Sequence, residues 1–503
     1  MTPQAAYDEL LRRAREATLL GSCLELLGWD ELTYMPRGGV RNRGEQTALL
    51  AGLYHERATD PRLGELLDIL ECSDLLADRD AATAVNVCEL RRTYDRETRL
   101  PRALVEEQAR VTSTAQQEWE AAREDADYAR FCPWLERVLA LKREEAAALG
   151  GGGDAYDALL EEYEPGATGA RLAVLFEALR RELVPLAAAI AGGPRRSELT
   201  LLHREYPVER QRFFAQTVAA ALGFDFHRGR LDATAHPFFS SIGPGDYRIA
   251  TRYSPRNFGD AFFGMLHEVG HALYEQGLDP AHHGTPMGEA VSLGVHESQA
   301  RLWENTVGRS LPFWRHFFPL ARSVFHEALH DVTLDAFHAA INHVGPSLIR
   351  VSADEVTYNL HILIRFELER ALLTGDLPAP DLPGAWNDAY RRHLGVTPGD
   401  DAEGCLQDGH WGAGLVGYFP TYTLGNIFAA QLFARAAAEL GDLDGALARG
   451  EFDGLLGWLR DKVHRHGSRY SAARLIEKAT GAPPDHRPLV QALRRKYGEL
   501  YGL

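Results

Sequence analysis

The chain has 503 residues, of which 45% are hydrophobic and 25% charged, a composition typical of a globular protein with a large core. Its net charge of -17 argues against nucleic acid as the main partner, because phosphate backbones bind basic surfaces. The five cysteines are odd in number and lack CxxC spacing, so they favour neither a disulfide framework nor a thiolate metal site. With no visible signal peptide and no apolar window long enough to span a membrane, we expect a cytoplasmic protein without membrane attachment.

Hydrophobic periodicity predicts a mainly helical chain with a small sheet. Helices are predicted at residues 4–28, 43–58, 78–97, 101–124, 128–149, 156–163, 167–192, 262–277, 288–306, 311–328, 333–344, 355–373, 412–440, 445–464 and 484–501. Four glycines at 150–153 predict a surface turn. The segment between about 200 and 255 mixes Phe with Gly, Pro and Thr and predicts the small sheet, with an alternating strand at 246–253. A second short strand is predicted at 347–351.

The helix predicted at 262–277 carries the sequence His267-Glu268-Val269-Gly270-His271. Its two histidines are four residues apart, so their imidazoles lie one turn apart on one face and can bind a single ion. Glu268 is rotated by roughly 100° around the helix, where it cannot easily join them but can take a proton from a water on that ion. The pattern indicates a hydrolytic metal centre, and the alternative is an exposed face with two solvated histidines.

A third protein ligand is needed, since a catalytic zinc usually has three protein ligands and one open position. The histidine that metzincins place six residues after the second histidine is absent, because Gly277 occupies that position. His282 and His283 in the following loop are interpreted as solvated, and the other candidates are Glu289, Glu297 and Glu304 on the next predicted helix. They are eight and seven residues apart and lie near one helix face, so spacing alone does not separate them.

His296-Glu297-Ser298-Gln299, which follows the His-Glu-x-x-His helix, resembles a motif of the carboxypeptidase Taq family of metallocarboxypeptidases. Other stretches resemble the family in the same order along nearly the whole chain: His236-Pro237-Phe238, Asp246-Tyr247-Arg248-Ile249-Ala250-Thr251 (with Thr251 one residue later than in the family), Ile349-Arg350-Val351-Ser352-Ala353-Asp354 and Gly404-Cys405-Leu406-Gln407-Asp408-Gly409-His410-Trp411. The resemblance implies that Glu297 is the third ligand and Glu268 the general base.

The resemblance also implies a single catalytic domain over residues 1–503, with two helical lobes around a deep active-site groove, similar to neurolysin and angiotensin-converting enzyme. It further implies peptide substrates, a homodimer and one divalent ion, which we expect to be Zn²⁺, with Co²⁺ or Mn²⁺ also compatible with mixed nitrogen and oxygen ligands. In thermolysin-like relatives an aspartate four residues after the ligand glutamate supports a histidine. Arg301 occupies that position here, so another acid must hold the imidazoles if any does.

Peptide hydrolysis also requires a hydrogen-bond donor for the tetrahedral oxyanion. Related helical peptidases use a histidine and a tyrosine, which leads to the hypothesis that His410 acts with Tyr422 or Tyr418. For either tyrosine alone, the alternative is a phenol buried in the core.

A carboxypeptidase must recognise a free terminal carboxylate, and arginine suits this task because its planar guanidinium pairs with both oxygens. The candidates are Arg350, which we favour, and Arg248, both on predicted short strands. The alternative is a structural ion pair with Asp354 or Asp246. His236 is predicted to line the groove and limit peptide length, with simple packing as its alternative.

The sequence therefore predicts a metal-dependent carboxypeptidase that releases C-terminal amino acids. One alternative is an oligopeptidase that cleaves internal bonds of short peptides. Another is a non-catalytic helical scaffold that binds a metal, although the intact Glu268, which has no structural ligand role, argues against it.

Overall fold

The computed structural model describes residues 1–150, 153–193 and 197–503. The chain divides into two compact units: unit 1 is Met1–Thr98, Ser197–Ile341 and Leu432–Pro483, and unit 2 is Arg99–Arg196, Asn342–Gln431 and Pro484–Leu503. The single domain predicted over residues 1–503 stays a prediction. The glycine turn predicted at 150–153 includes residues 151 and 152, which lie outside the described residues.

The chain is mainly α-helical, as predicted. In chain order the helices are α1 (Pro3–Thr33), α2 (Val40–Ala58), α3 (Pro61–Glu71), α4 (Ala82–Arg99), α5 (Arg102–Asp125), α6 (Tyr128–Ala148), α7 (Ala155–Leu160), α8 (Gly169–Gly192), α9 (Val208–Ala221), α10 (Phe258–Glu275), α11 (Leu293–Arg301), α12 (Leu311–Val324), α13 (His326–Leu329), α14 (Leu334–Ile341), α15 (Thr357–Thr374), α16 (Leu382–His393), α17 (Pro420–Leu440), α18 (Leu443–Arg449), α19 (Asp453–Lys462), α20 (Ala472–Thr480) and α21 (Arg487–Tyr501). Within the described residues, no helix is both long and apolar enough to cross a membrane.

The small sheet predicted before the metal-binding helix is present in unit 1. Its three strands are β1 (Gly229–Ala233), β2 (Phe238–Gly243) and β3 (Asp246–Thr251). β3 lies in the centre, parallel to β1 and antiparallel to β2, so β2 forms an edge of the sheet. Ile249 and Ala250 of β3 are fully buried, which anchors the sheet in the core of unit 1.

Helix α10 lies in that core and positions the predicted metal motif. The side chain of Asn257 caps its first turn by accepting a hydrogen bond from the Asp260 amide at 3.2 Å. The rings of Phe258 and Phe262 stack with centroids 5.2 Å apart, and Trp314 packs against Phe262 at 5.3 Å. The first half of α10 is therefore held by aromatic packing, and the histidines follow in its second half.

Several predicted bounds are wrong. The predicted strand at 347–351 is absent, because Arg350–Ser352 form a 3-10 turn and the Arg350 amide donates to Gln407 Oε1 at 2.9 Å instead of to another strand. The helix predicted at 288–306 begins at Leu293, where the Ser292 side chain caps it, and passes into a π-helical turn at Leu302–Val307.

Other differences concern helix ends and short helices. α1 continues past residue 28 because Trp29 is buried in its last turn, and the helix predicted at 412–440 begins at Pro420. The short helices α3, α9, α16 and α20 were not predicted. α9 falls inside the segment whose Phe, Gly and Pro content indicated strands.

Candidate metal centre and catalytic residues

The two histidines of α10 face a carboxylate from α11, and a glycine brings the two helices together. A Cβ at Gly270 would lie 2.5 Å from Ala300 Cα and 2.6 Å from the Gln299 carbonyl oxygen, so only glycine permits this approach. The resulting contact places Glu297, near the middle of α11, beside His267 and His271 of α10.

The three side chains converge on one point. His267 Nε2 and His271 Nε2 are 3.2 Å apart, and Glu297 Oε2 lies 3.6 Å from the former and 3.8 Å from the latter. Ligand atoms about 2.0–2.2 Å from a tetrahedral ion lie roughly 3.3–3.6 Å from one another, so this triangle fits a small divalent cation. Of the three candidate glutamates, the structure brings Glu297 to this position.

The other two candidate glutamates lie elsewhere. Glu289 precedes α11, is exposed and lines a cavity in unit 1. Glu304 lies in the π-helical turn, and its Oε2 accepts a hydrogen bond from His267 Nδ1 at 2.9 Å. That bond fixes the tautomer in which His267 Nε2 is available to a metal. The acid that holds an imidazole is therefore Glu304, seven residues after Glu297, a position that helical spacing indicated but did not single out.

Arg301 links the two carboxylates of this arrangement. Its Nε donates to Glu297 Oε1 at 2.7 Å, and its Nη1 donates to Glu304 Oε2 at 3.2 Å. Burial alone would raise the pKa of Glu304, but Arg301 and His267 outweigh it and hold that pKa at about 2. Burial opposes charge on His267, yet Glu297 and Glu304 raise its pKa to about 9. Burial, by contrast, holds the pKa of His271 well below its usual value, so this ring is neutral, which is the form that binds a metal.

Glu268 lies on the same helix but outside the converging set. Its side chain is buried, and burial raises its pKa to about 7. A carboxylate with a pKa in this range exchanges protons readily near neutral pH, which suits a general base.

In unit 2, four of the predicted residues form a second cluster. His410 Nε2 lies 3.0 Å from the Tyr422 hydroxyl, and burial lowers the pKa of His410 to about 4, so its ring is neutral. The Tyr418 ring lies 5.5 Å from His410 and 5.4 Å from Tyr422, and both tyrosines are half-buried, so neither is a core phenol. The guanidinium of Arg350 lies 5.0 Å from the Tyr422 ring.

Arg350 is held by a buried ion network. Its Nη2 and Nε lie 2.8 and 2.9 Å from Asp408 Oδ1, and Asp408 Oδ2 accepts a hydrogen bond from Arg365 Nε at 2.6 Å. The partner is thus Asp408 and not Asp354, whose Oδ1 instead caps α15 by accepting from the Thr357 amide. The network fixes the guanidinium within the cluster of His410 and Tyr422.

Arg248 and His236 lie in unit 1. Arg248 pairs through two nitrogens with Asp246, at 2.8 and 2.7 Å, and stacks over the Trp29 ring at 4.2 Å, so the structural ion pair considered from sequence is present. His236 is exposed in the turn between β1 and β2, which does not support a packing role.

A family model for the carboxypeptidase Taq (M32) metallopeptidases matches residues 9–497. The chain belongs to this family. It is 52% identical to thermostable carboxypeptidase 1 of Thermus thermophilus, in an alignment that covers 100% of each chain. It is 37% identical to carboxypeptidase 1 of Bacillus subtilis, with 99% of each chain covered. A crystal structure of the M32 carboxypeptidase from Deinococcus radiodurans is 43% identical, with a TM-score of 0.95 over 99% of this chain and 100% of that one. The protein is a metal-dependent peptide hydrolase of the carboxypeptidase class, which confirms the activity predicted from sequence.

Proposed function

We propose that this protein hydrolyses the last peptide bond of unblocked peptides at a single divalent ion held by His267, His271 and Glu297. The supporting observation is the convergence of His267 Nε2, His271 Nε2 and Glu297 Oε2, with neighbouring atoms 3.2 to 3.8 Å apart. Two nitrogens and one oxygen form the donor set of many hydrolytic zinc sites, so Zn²⁺ is the proposed ion. Co²⁺ and Mn²⁺ are compatible with the same donors.

When bound, a divalent cation supplies Lewis acidity and lowers the pKa of water. Glu268 accepts the proton of the attacking water and later delivers a proton to the leaving amine. The buried carboxyl of Glu268, with its pKa raised to about 7, is suited to both transfers. Glu304 keeps the proton of His267 on Nδ1 throughout.

The residues of unit 2 provide substrate recognition in this proposal. Tyr422, or alternatively Tyr418, donates to the developing oxyanion together with His410. Arg350 pairs with the terminal carboxylate, supported by the ion network that fixes its guanidinium. Arg248 is the weaker candidate, because its guanidinium lies against Trp29 and Asp246, whereas that of Arg350 lies beside Tyr422.

The remaining expectations concern the cellular location, the partners and the oligomeric state of the enzyme. A cytoplasmic location is supported by the five cysteines, all of which are free thiols. Peptides are the proposed partners, and binding to nucleic acid or to a membrane is not proposed. The exposed His236 is proposed to limit the length of the peptide substrate. A homodimer is proposed from the family resemblance, and light scattering of the purified protein measures it directly.

Release of free amino acids from matched peptides tests the function. Metal-loaded protein is expected to shorten peptides with a free C-terminus and to leave the amidated peptides intact, whereas chelated protein leaves both intact. Cleavage of amidated peptides at the same rate would instead identify an oligopeptidase. If metal-loaded protein cleaves neither peptide, the protein is instead a non-catalytic scaffold that binds a metal.

A further inference from the structure

Arg301 bonds one of the proposed metal ligands, yet the mechanism proposed above gives it no role. It follows Glu297 by four residues, so the two side chains lie one turn apart on one face of α11. Arg301 Nε donates to Glu297 Oε1 at 2.7 Å. The two side chains are only 13% and 9% exposed, so little water competes with this charge-assisted hydrogen bond.

The two carboxylate oxygens of Glu297 therefore have different surroundings. Oε2 lies 3.6 Å from His267 Nε2 and 3.8 Å from His271 Nε2, where the proposed ligand atoms converge. Oε1 instead accepts the hydrogen bond from Arg301. A carboxylate binds a cation through one oxygen or through both. Because the guanidinium competes for Oε1, this arrangement favours binding through Oε2 alone.

A second bond fixes the direction of the guanidinium. Arg301 Nη1 donates to Glu304 Oε2 at 3.2 Å, and the same oxygen accepts from His267 Nδ1 at 2.9 Å. A guanidinium is planar and rigid, so bonds to two different carboxylates determine its orientation. His267 on α10 and Glu297 on α11 are thus joined through Glu304 and Arg301, and neither ligand rotates without breaking one of these bonds.

We propose that Arg301 is a positioning residue that restricts Glu297 to one ligand oxygen and so keeps a coordination position open for water and the substrate carbonyl. Two imidazole nitrogens and one carboxylate oxygen leave one position of a tetrahedral site free, and a second oxygen of Glu297 would compete for it. Arg301 also withdraws negative charge from Glu297, which preserves the Lewis acidity that a divalent ion supplies. The inference rests on the ligand set of the proposed function.

The alternative is that Arg301 only stabilises α11 through a buried ion pair. Under both explanations, loss of the guanidinium lowers the free energy of unfolding, so stability does not distinguish them. A purely structural role predicts weaker metal binding with the coordination number unchanged. A positioning role predicts that Glu297 offers a second oxygen once Arg301 is removed, so the test measures coordination.

The visible spectrum of Co²⁺-substituted protein reports the coordination number, because four-coordinate Co²⁺ absorbs more strongly than five-coordinate Co²⁺. Arg301→Met removes both hydrogen bonds and keeps an unbranched side chain. We expect weaker Co²⁺ absorption in this variant than in wild type. With saturating Zn²⁺, we expect its kcat to fall by about 10- to 100-fold, the usual effect of losing a group that supports a metal ligand. Competition with a chelator should give a Zn²⁺ Kd no higher than that of wild type.

Two further variants control for the loss of charge. A lysine four residues after a glutamate also reaches its carboxylate, so Arg301→Lys should return the Co²⁺ absorption and kcat toward the wild-type values. Arg309 is the matched arginine, since its Nη2 lies 3.9 Å from Glu304 Oε1. Arg309→Met removes a guanidinium from the same acid and should keep the wild-type Co²⁺ spectrum.

An unchanged Co²⁺ spectrum in Arg301→Met, or a wild-type kcat at saturating Zn²⁺, would overturn the inference and leave the carboxypeptidase assignment standing. If wild type binds Co²⁺ no better than Glu297→Gln, the ligand set is wrong and the inference is wrong with it. If loaded wild type releases no amino acid, the proposed function is wrong, and the spectra still decide the role of Arg301.

The crystal structure of Zn²⁺-loaded wild type decides the question should Arg301→Met not fold. Oε2 of Glu297 alone at a bonding distance of about 2.0–2.2 Å from the ion supports the inference, and both oxygens at that distance refute it.

Discussion

At the level of single residues, the proposed mechanism assigns Glu268 to proton transfer and not to metal binding. Glu268→Gln preserves side-chain volume and leaves His267, His271 and Glu297 unchanged. Because only the proton acceptor is removed, we expect kcat to fall by about a thousandfold with the metal content unaltered. Amino acid release and elemental analysis of the same preparation measure both quantities. Turnover equal to wild type would refute the assignment of Glu268 as base.

Glu304 is expected to control metal affinity without touching the metal. Its hydrogen bond at 2.9 Å orients His267, and Glu304→Gln replaces the anionic acceptor with a neutral amide. Loss of such a partner weakens metal binding by about 10- to 100-fold, which competition with a chromogenic chelator measures. Glu31→Gln, at an exposed position, is the control, and equal affinities in the two variants would contradict this role.

At the level of elements, the close approach of α10 and α11 brings the three proposed metal ligands, His267, His271 and Glu297, together. Gly270→Ala would place a Cβ 2.5 Å from Ala300 Cα and force the helices apart, with an expected loss of about 1–3 kcal/mol in the free energy of unfolding. Urea unfolding measures the loss, and metal affinity should fall with it.

Gly264→Ala is the control on the same helix. Its Cβ would lie 3.6 Å from the nearest atom, an ordinary contact, so the helix propensity of alanine should leave stability unchanged or raise it by up to about 1 kcal/mol. If Gly270→Ala and Gly264→Ala lost the same free energy of unfolding, the close approach of α11 at Gly270 would not be the cause of the destabilisation.

In unit 2, α15 supports the loop that carries His410 and Tyr418. The buried Glu369 carboxylate accepts hydrogen bonds from the Tyr156 hydroxyl at 2.9 Å, from Trp411 Nε1 at 3.0 Å and from the Gly417 amide at 3.0 Å. Glu369→Gln turns an amide NH₂ toward one of these donors, which should cost about 1–3 kcal/mol in the free energy of unfolding.

The exposed Glu367→Gln, two residues earlier on the same helix, is the control for Glu369→Gln. It removes a surface ion pair with Arg180, which contributes about 0–1 kcal/mol. Urea denaturation of both variants measures the loss in the free energy of unfolding. A loss in Glu369→Gln no larger than that in Glu367→Gln would show that Glu369 does not support the loop.

At the scale of the whole molecule, metal binding and folding are linked. An ion that binds only the folded chain stabilises it by about 2.7 kcal/mol at 100 times its Kd and about 4.1 kcal/mol at 1,000 times. We therefore expect chelation to lower the Tm and added Zn²⁺ to restore it, as measured by calorimetry. Glu268→Gln should keep this response and Glu297→Gln should lose it. Identical Tm values with and without metal would contradict the site.

The part of the site that lies on one helix could be predicted from local spacing. His271 follows His267 by four positions, which places both imidazoles on one face in any helix, and apolar residues at intervals of three and four predict that helix. The elements that were mispredicted are those whose pattern is ambiguous. Residues 347–351 alternate like a strand, yet the Arg350 amide finds its acceptor in the side chain of Gln407.

The sequence by itself determined a helical protein, two imidazoles on one face with a separate carboxylate beside them, and a short set of acids from which the third ligand must come. Only the tertiary structure decided that Glu297 completes the triangle, that Glu304, 37 residues from His267, orients it, and that Glu289 lies in the wall of a cavity. The physical reason is that the path of the chain between α10 and α11 depends on packing at Gly270, and local spacing carries no information about contacts made across that loop.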